Sequence, residues 1–408
     1  MRFTGFACSL LACLTALSTV VGAGDLTLRW KGKNHSPADL PENFPEAARA
    51  SVLFWAPWCE AHGYRMDLEE RARVLLITPS DNPARKRQMR LVERVVELFE
   101  KEFRVPVREE SAEKPALSSD TGEKEEQPRG LPEDPEEGPH PWEVHGKKDV
   151  KTNTTRTSWG AEEVTFDHDP AVFVIPRVQR HYIHLLDHLA SSYEHMKEWS
   201  EDAGGLQGFV LSWPLTAAYL ERPDGVDEWS PNNELVNRLA RLLFMRRYGR
   251  QPYWAELGVG WHFEVELLGG VYVFPYRDEF VWAVEHDAWP SDLKQRFDER
   301  RKEPLRADEF CDLKRGTYRP LEARLCFGFI DFLVREGHPA LPAVFEAMRA
   351  RYEEKSVVET GQYTWKRDLA YEVPAGEQED LLRLHLGEDV FQRASAVFRR
   401  GVGKKSRE

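Results

Sequence analysis

Apolar residues recur at helical spacing in several long stretches of the chain. Residues 87–103 place Leu91, Val95 and Phe99 on one face, which predicts an amphipathic helix. Residues 179–199 repeat this pattern with Tyr182 and Leu189 on the buried side. By the same criterion, further helices are predicted over 45–62, 321–336, 340–352 and 378–400.

Short apolar runs separate these helices and predict β-strands. They are bounded by glycine, proline or charged residues, as strands commonly are. The predicted strands cover residues 26–30, 73–78, 171–175, 209–212 and 270–274. Helices and strands therefore alternate along the chain, which predicts a mixed α+β protein.

Another helix is predicted from Pro231 to about Tyr248. Ser230 is a favourable N-cap, and Pro231 suits the first helical position, where its missing N–H would have no partner. Leu235, Leu239 and Leu242 then recur at helical spacing. Gly249 suits the residue after the helix end.

Two stretches differ sharply in composition from the rest. Residues 1–23 have a basic start, an apolar run and a small-residue ending, which is typical of a signal peptide. We therefore expect an exported protein, periplasmic or extracellular. Residues 108–160 are rich in Glu and Pro and predict a disordered acidic linker. These segments divide the remainder into a small α+β domain (24–107), a second α+β domain (161–290) and a helical C-terminal subdomain (291–408).

Net charge and cysteine content narrow the possible partners. The chain carries 56 basic and 69 acidic residues, a net charge of −13, which argues against a nucleic-acid partner. No stretch after the signal peptide predicts a transmembrane helix. Outside the signal peptide lie Cys59, Cys311 and Cys326. They allow either a Cys311–Cys326 disulfide or three buried thiols.

Four histidines lie close together in the predicted helix 179–199. His184 and His188 are four residues apart and could hold a divalent cation from one helix face. His181 and His195 flank them. A solvated helix face is the alternative that we prefer, because no full set of ligands surrounds the pair.

The helix from Pro231 and the segment after it carry a two-part motif. The first part is Asn233-Glu234-Leu235-Val236-Asn237, and the second is Pro252-Tyr253-Trp254-Ala255-Glu256-Leu257-Gly258. Together they resemble the active-site helices of the gluzincin zinc metallopeptidases, in the peptidase-MA-like branch. In that family two histidines four apart and a glutamate on the next helix bind zinc, and a glutamate between the histidines polarises water.

The resemblance implies a gluzincin-like domain that has lost its metal ligands. The two histidine positions are Asn233 and Asn237, and the glutamate position is Leu257; Glu234 remains at the general-base position. Since zinc favours imidazole, thiolate and carboxylate ligands, we expect no zinc and no other cofactor.

Three functions are consistent with these observations. The first is an exported pseudopeptidase that binds a peptide or protein in the former cleft, lined by Trp254, Glu256 and Trp261. The second is an active zinc metallopeptidase with displaced ligands, drawn from Glu234, Glu256 and His262. The third is a structural cell-envelope protein.

Overall fold

The computed structural model describes ten ranges of the chain: 26–103, 154–156, 162–164, 169–223, 229–273, 288–298, 304–313, 320–361, 364–368 and 371–401. The predicted signal peptide and most of the predicted linker lie outside the described residues. The helices are α1 (Glu46–His62), α2 (Arg85–Glu102), α3 (Gln179–Ser192), α4 (Lys197–Ala203), α5 (Pro231–Tyr248), α6 (Tyr253–Leu268), α7 (Trp289–Asp298), α8 (Pro320–Glu336), α9 (Leu341–Lys355), α10 (Ala375–Leu386) and α11 (Val390–Arg400).

The described residues form eleven strands of three to six residues. They are β1 (Leu28–Trp30), β2 (Lys33–His35), β3 (Tyr64–Leu68), β4 (Val74–Pro79), β5 (Thr154–Arg156), β6 (Glu162–Val164), β7 (Ala171–Val174), β8 (Gly208–Ser212), β9 (Leu215–Tyr219), β10 (Val357–Gly361) and β11 (Thr364–Arg367). The predicted mixture of helices and strands is confirmed.

Seven strands form one sheet in the order β2-β1-β3-β4-β7-β9-β8. The three central strands β4, β7 and β9 are parallel, while β3 and β8 run antiparallel to their neighbours β4 and β9. Pairs β5–β6 and β10–β11 are separate two-stranded sheets. Three parallel strands require crossover connections, which α2 with the segment after it and α3 with α4 and β8 provide.

The two faces of the seven-stranded sheet support different helices. Leu76, Phe173 and Ala217 face the side on which α2 and α5 pack, and α6 and α8 extend this core outward. Ile77 and Val174 point to the opposite face, which α1 and α3 cover. Alternation of side chains along each strand produces this division, because successive residues leave a strand on opposite sides.

The sheet crosses the predicted boundary between the two α+β domains. Strand β4, from the range 24–107, pairs in parallel with β7, from the range 161–290, and Val74 lies opposite Ala171. Both ranges also contribute to the same two apolar cores. Within the described residues, the two ranges therefore share one sheet and two cores, and a core shared in this way is typical of one folding unit.

Three local predictions need correction. The helix predicted over 179–199 ends at Ser192, and a 3₁₀ turn at Glu194–Met196 leads into α4. Residues 271–273, inside the strand predicted over 270–274, are not in a strand. Strands β3 and β9 were not predicted at all, although Met66 and Ala217 are buried in them.

Helices α6 and α8 approach each other closely at Gly258. A Cβ atom built at Gly258 would lie 2.6 Å from Ile330 Cγ1 and 2.7 Å from the backbone oxygen of Cys326. The backbone atom cannot rotate away, so a side chain at position 258 would force the helices apart. The second part of the two-part motif therefore has a packing reason for its glycine.

We predict that Gly258→Ala destabilises the fold by about 1–3 kcal/mol, because the added methyl group overpacks the contact between α6 and α8. Urea unfolding monitored by circular dichroism measures the change. The matched control is Gly376→Ala in α10, where a Cβ atom would meet nothing within 4 Å. Equal stability of the two variants would contradict the assigned role of Gly258.

Candidate functional site

Helices α5 and α6 bring the two parts of the motif together. Helix α5 begins with Pro231 at its first position and ends at Gly249, which adopts a positive φ of 66°. Helix α6 passes α5 at Gly260, where a Cβ atom would lie 2.7 Å from Nδ2 of Asn237. Gly260 therefore makes the room that lets the Asn237 side chain reach along α6.

The two asparagines converge on a carboxylate. Asn233 Nδ2 donates to Glu264 Oε2 at 2.7 Å, and Asn237 Nδ2 donates to Glu264 Oε1 at 2.7 Å. The spacing of four residues on α5 does direct both side chains to one point, as the motif predicts. The group found at that point is a glutamate of α6 that the sequence analysis did not identify.

Glu264 also organises the segment that follows α6. Its Oε2 atom accepts from the backbone N–H groups of Tyr272 at 2.7 Å and Val273 at 3.1 Å. With the two asparagines, four N–H donors surround one carboxylate that is 0% exposed. These bonds explain why residues 271–273 turn over the end of α6 rather than form a strand. The carboxylate connects α5, α6 and this segment.

Burial and hydrogen bonding act in opposite directions on Glu264. Burial raises the pKa of its carboxyl group, the four N–H donors lower it, and the result is a pKa of about 8. The neutral, protonated form of the buried group is therefore favoured up to about pH 8. Asn237 Oδ1 is buried nearby without a hydrogen-bond partner. After rotation of the Asn237 amide, this oxygen can accept a hydrogen bond from the O–H of the protonated Glu264 carboxyl group.

The amide orientations do not suit a zinc ion. Ser230 Oγ donates to Asn233 Oδ1 at 2.7 Å, which leaves Asn233 Nδ2 facing Glu264 and the backbone oxygen of Gly270. Zinc needs lone pairs that point at one position, but here N–H groups point there. The residues at the predicted ligand positions therefore do not fit the metal.

The remaining residues predicted from the second part of the motif lie in the protein core. Leu257, Trp254 and Trp261 are buried, so the two tryptophans predicted to line the cleft are not exposed to solvent. The indole of Trp254 donates to Gln378 Oε1, and that of Trp261 donates to the backbone oxygen of Val273. Buried indole N–H groups need such partners, and these bonds orient the rings inward.

The three residues considered as displaced ligands point to three different partners. Glu234 accepts from Arg238 Nε at 2.7 Å, and Glu256 pairs with Arg241 at 2.5 Å. Glu256, the third residue predicted to line the cleft, is therefore ion-paired with a residue of α5.

His262 lies between Asp331 and Glu102, at 3.1 and 3.0 Å. Burial disfavours the charged ring, but hydrogen bonds to Asp331 and Glu102 outweigh it and raise the pKa of His262 to about 9. Protonated, the ring donates to both carboxylates and joins α2, α6 and α8. Glu234, Glu256 and His262 therefore do not converge on a common metal position.

The histidines of α3 contact α1 and β3 rather than forming the expected solvated face. His184 Nδ1 lies 2.8 Å from Nε2 of His62, and the Tyr64 hydroxyl lies 2.9 Å from His181 Nδ1. His188 instead packs on the rings of Phe54 and Trp55. Since His184 and His188 have different neighbours, the geometry does not form the predicted two-histidine clamp.

All three cysteines in the described part of the chain are buried free thiols. The alternative of a Cys311–Cys326 disulfide is therefore not found. Burial raises the pKa of each thiol above its usual value. Such thiols remain protonated and poorly nucleophilic, so they offer no catalytic group.

Glu264 is the residue that the sequence analysis missed. It follows Leu257 by seven residues, or two helical turns, so both side chains leave α6 on one face. That spacing could have shown a carboxylate able to reach the two asparagines.

Comparisons with protein-family models, with curated proteins and with solved structures found no match. Among the described residues, no helix is both long and apolar enough to span a lipid bilayer.

We predict that Glu264→Gln weakens the dependence of stability on pH. The folded-state pKa of Glu264 is raised, so its contribution to stability is fully present below about 4.5 and is lost as pH rises to about 8. Glutamine does not titrate, and its amide can donate to Asn237 Oδ1 once the Asn237 amide rotates. The variant should therefore lose less stability than the parent between pH 5 and pH 8.5.

Urea unfolding at those two pH values measures this difference, which we expect to be on the order of a few kcal/mol. Glu346→Gln on the exposed face of α9 is the matched control and should keep the parental dependence on pH. Identical pH dependence in Glu264→Gln and the parent would contradict the titration assigned to Glu264.

Proposed function

We propose that this protein is an exported, zinc-free pseudopeptidase with a gluzincin-like domain that acts by binding a peptide or protein. The observation that carries the proposal is the hydrogen bonding of Asn233 and Asn237 to Glu264. In a zinc peptidase those two helix positions donate lone pairs to the metal. Here the side-chain amides at both positions donate hydrogen bonds to a buried carboxylate, which supports peptide binding rather than metal-dependent hydrolysis.

The partners of the remaining acidic groups also favour a non-catalytic role. Glu234, at the general-base position, is buried and ion-paired with Arg238. A general base must reach the water or substrate from which it takes a proton. A carboxylate that is covered and already neutralised by an arginine is unsuited to that task.

The edge of the sheet beside α5 supports the proposal of peptide binding. In the described part of the chain β8 is the last strand of the seven, bonded only to β9. Val210 and Leu211 on β8 are partly exposed, and helix α5 packs beneath this strand. An edge strand offers unpaired backbone groups to which an extended peptide can add as a further strand.

We predict that the purified protein holds far less than one zinc per chain and that Asn233→His/Asn237→His creates a zinc site with the native Glu264. The two histidines and the carboxylate then form a three-ligand set, without the Leu257→Glu change that the motif alone would call for. Isothermal titration with zinc should show binding more than about 100-fold tighter than in the parent, because a first ligand shell outweighs second-shell effects.

The control for this variant is Asn232→His/Asn237→His. It also adds two histidines, but at positions whose side chains leave α5 in different directions. It should bind zinc no better than the parent. One zinc per parental chain, or peptide hydrolysis that Glu234→Gln abolishes, would overturn the pseudopeptidase proposal.

We predict that a pool of random peptides protects the backbone amides of 208–212 from hydrogen exchange, because a bound strand would cover this edge. Mass spectrometry with and without peptides measures the protection. The other edge strand, β2 (Lys33–His35), serves as the internal control and should exchange at the same rate in both samples. Protection of β2 alone would contradict binding beside α5.

A further inference from the structure

A polar pocket of about 360 Å³ lies away from the α5–α6 site, between the sheet and the first half of α2. Arg29 on β1 and Asp67 on β3 form its floor; they are register partners, so their side chains leave the sheet on the same face. Five of the eleven lining residues are basic and three are acidic, although the whole chain carries a net charge of −13. These basic residues are Arg29, Lys31, Arg85, Lys86 and Arg90.

Asp67 is the unusual member of this pocket because it is only 2% exposed. Its Oδ1 atom lies 3.4 Å from an Arg85 nitrogen, and its Oδ2 atom lies 3.8 Å from Nε of Arg65. Oδ2 is buried without a hydrogen-bond donor, and Arg65 Nε is buried without an acceptor. These two atoms face each other as an ion pair, but 3.8 Å is beyond hydrogen-bond distance, so Oδ2 keeps an acceptor position without a donor.

The charges around Asp67 do not balance. Arg29, Arg65 and Arg85 surround one carboxylate, which leaves an excess of positive charge. Glu70 and Glu93 also line the pocket and are exposed, as are Lys31, Lys86 and Arg90, so the basic groups of the lining still exceed the acidic ones. An anion in the pocket would neutralise the guanidinium groups, which suit bidentate binding of oxyanions.

The unsatisfied oxygen of Asp67 restricts which anion fits. A fully deprotonated oxyanion would face this carboxylate with acceptor atoms only and be repelled. An oxyanion that keeps one proton can donate that proton to Oδ2 while the arginines hold its other oxygens. Phosphate monoesters have a second pKa of about 6, so a protonated form is available near neutral pH. Sulfate carries no such proton.

We propose that this pocket binds a phosphate group, with Arg29, Arg85 and Arg90 as donors and Asp67 as the acceptor for the P–OH proton. Inorganic phosphate and phosphate monoesters share this chemistry. The site is distinct from the α5–α6 site and does not depend on the function proposed there.

Isothermal titration at pH 6.0 with inorganic phosphate, sulfate and glycerol 3-phosphate at matched ionic strength tests the site. Phosphate should bind at least about ten-fold more tightly than sulfate, because a buried acceptor without its donor is costly. Equal binding of phosphate and sulfate, or no binding of phosphate and of the monoester, would overturn the proposal. Tighter binding of glycerol 3-phosphate than of phosphate would identify an ester as the natural source.

Variants on α2 separate the pocket from general charge effects. Arg90→Gln removes an exposed arginine that lines the pocket, and Arg87→Gln removes an exposed arginine of the same helix outside it. Arg90→Gln should weaken phosphate binding several-fold, whereas Arg87→Gln should leave it unchanged. An equal loss in both variants would show general electrostatic attraction and overturn the assigned site.

Asp67→Asn tests the selectivity. Asparagine can donate to a deprotonated oxyanion, so the preference for phosphate over sulfate should fall toward one. If this buried variant does not fold, dependence of binding on pH in the parent replaces it. Binding of glycerol 3-phosphate should then decline above about pH 6, because a monoester loses its last P–OH proton there, whereas inorganic phosphate keeps one. A preference retained in Asp67→Asn, or glycerol 3-phosphate binding that rises with pH, would contradict the role of Asp67.

Discussion

The parallel pairing of β4 with β7 is the contact on which the rest of the structure depends. It joins segments on either side of the predicted acidic linker and turns two short groups of strands into one sheet. Only a continuous sheet offers faces wide enough for α2 and α5 on one side and α1 and α3 on the other. Since strand pairs bury backbone groups as well as side chains, breaking this contact would expose both cores.

The α5–α6 contact illustrates how a buried carboxyl group can be accommodated without a metal. A lone carboxylate in a protein core is costly, and donors must compensate for the water that it loses. Asn233, Asn237 and two backbone N–H groups supply that compensation for Glu264. The arrangement needs the small Gly260 beside Asn237 and the turn of residues 270–273 over the end of α6. Local geometry and charge therefore support each other in this region.

Charged groups in the core are compensated by partners within the protein. Arg238 pairs with Glu234, Arg241 pairs with Glu256, and His262 lies between Asp331 and Glu102. Each of these contacts joins residues whose individual burial would be unfavourable. By contrast, Asp67 faces more guanidinium groups than it can neutralise. That contrast directs attention to the pocket beside α2 as a place for an external anion.

The sequence by itself determined the helices that carry long periodic patterns and the meeting of two positions four residues apart. Helices α2, α5 and α8 lie close to their predicted bounds because their apolar faces repeat over several turns. Asn233 and Asn237 do point to one place, since this follows from helix geometry alone. Short strands such as β9 were missed because three to five residues carry too little periodicity.

Tertiary structure alone decided what lies opposite those side chains. Glu264 meets the two asparagines, His62 meets His184, and Val74 meets Ala171 across long separations in the chain. The pairing of β4 with β7 across the predicted linker was not predictable for the same reason, because a local change in composition does not indicate which strands pair. Contacts between distant residues depend on the packing of whole elements, and local sequence patterns do not specify that packing.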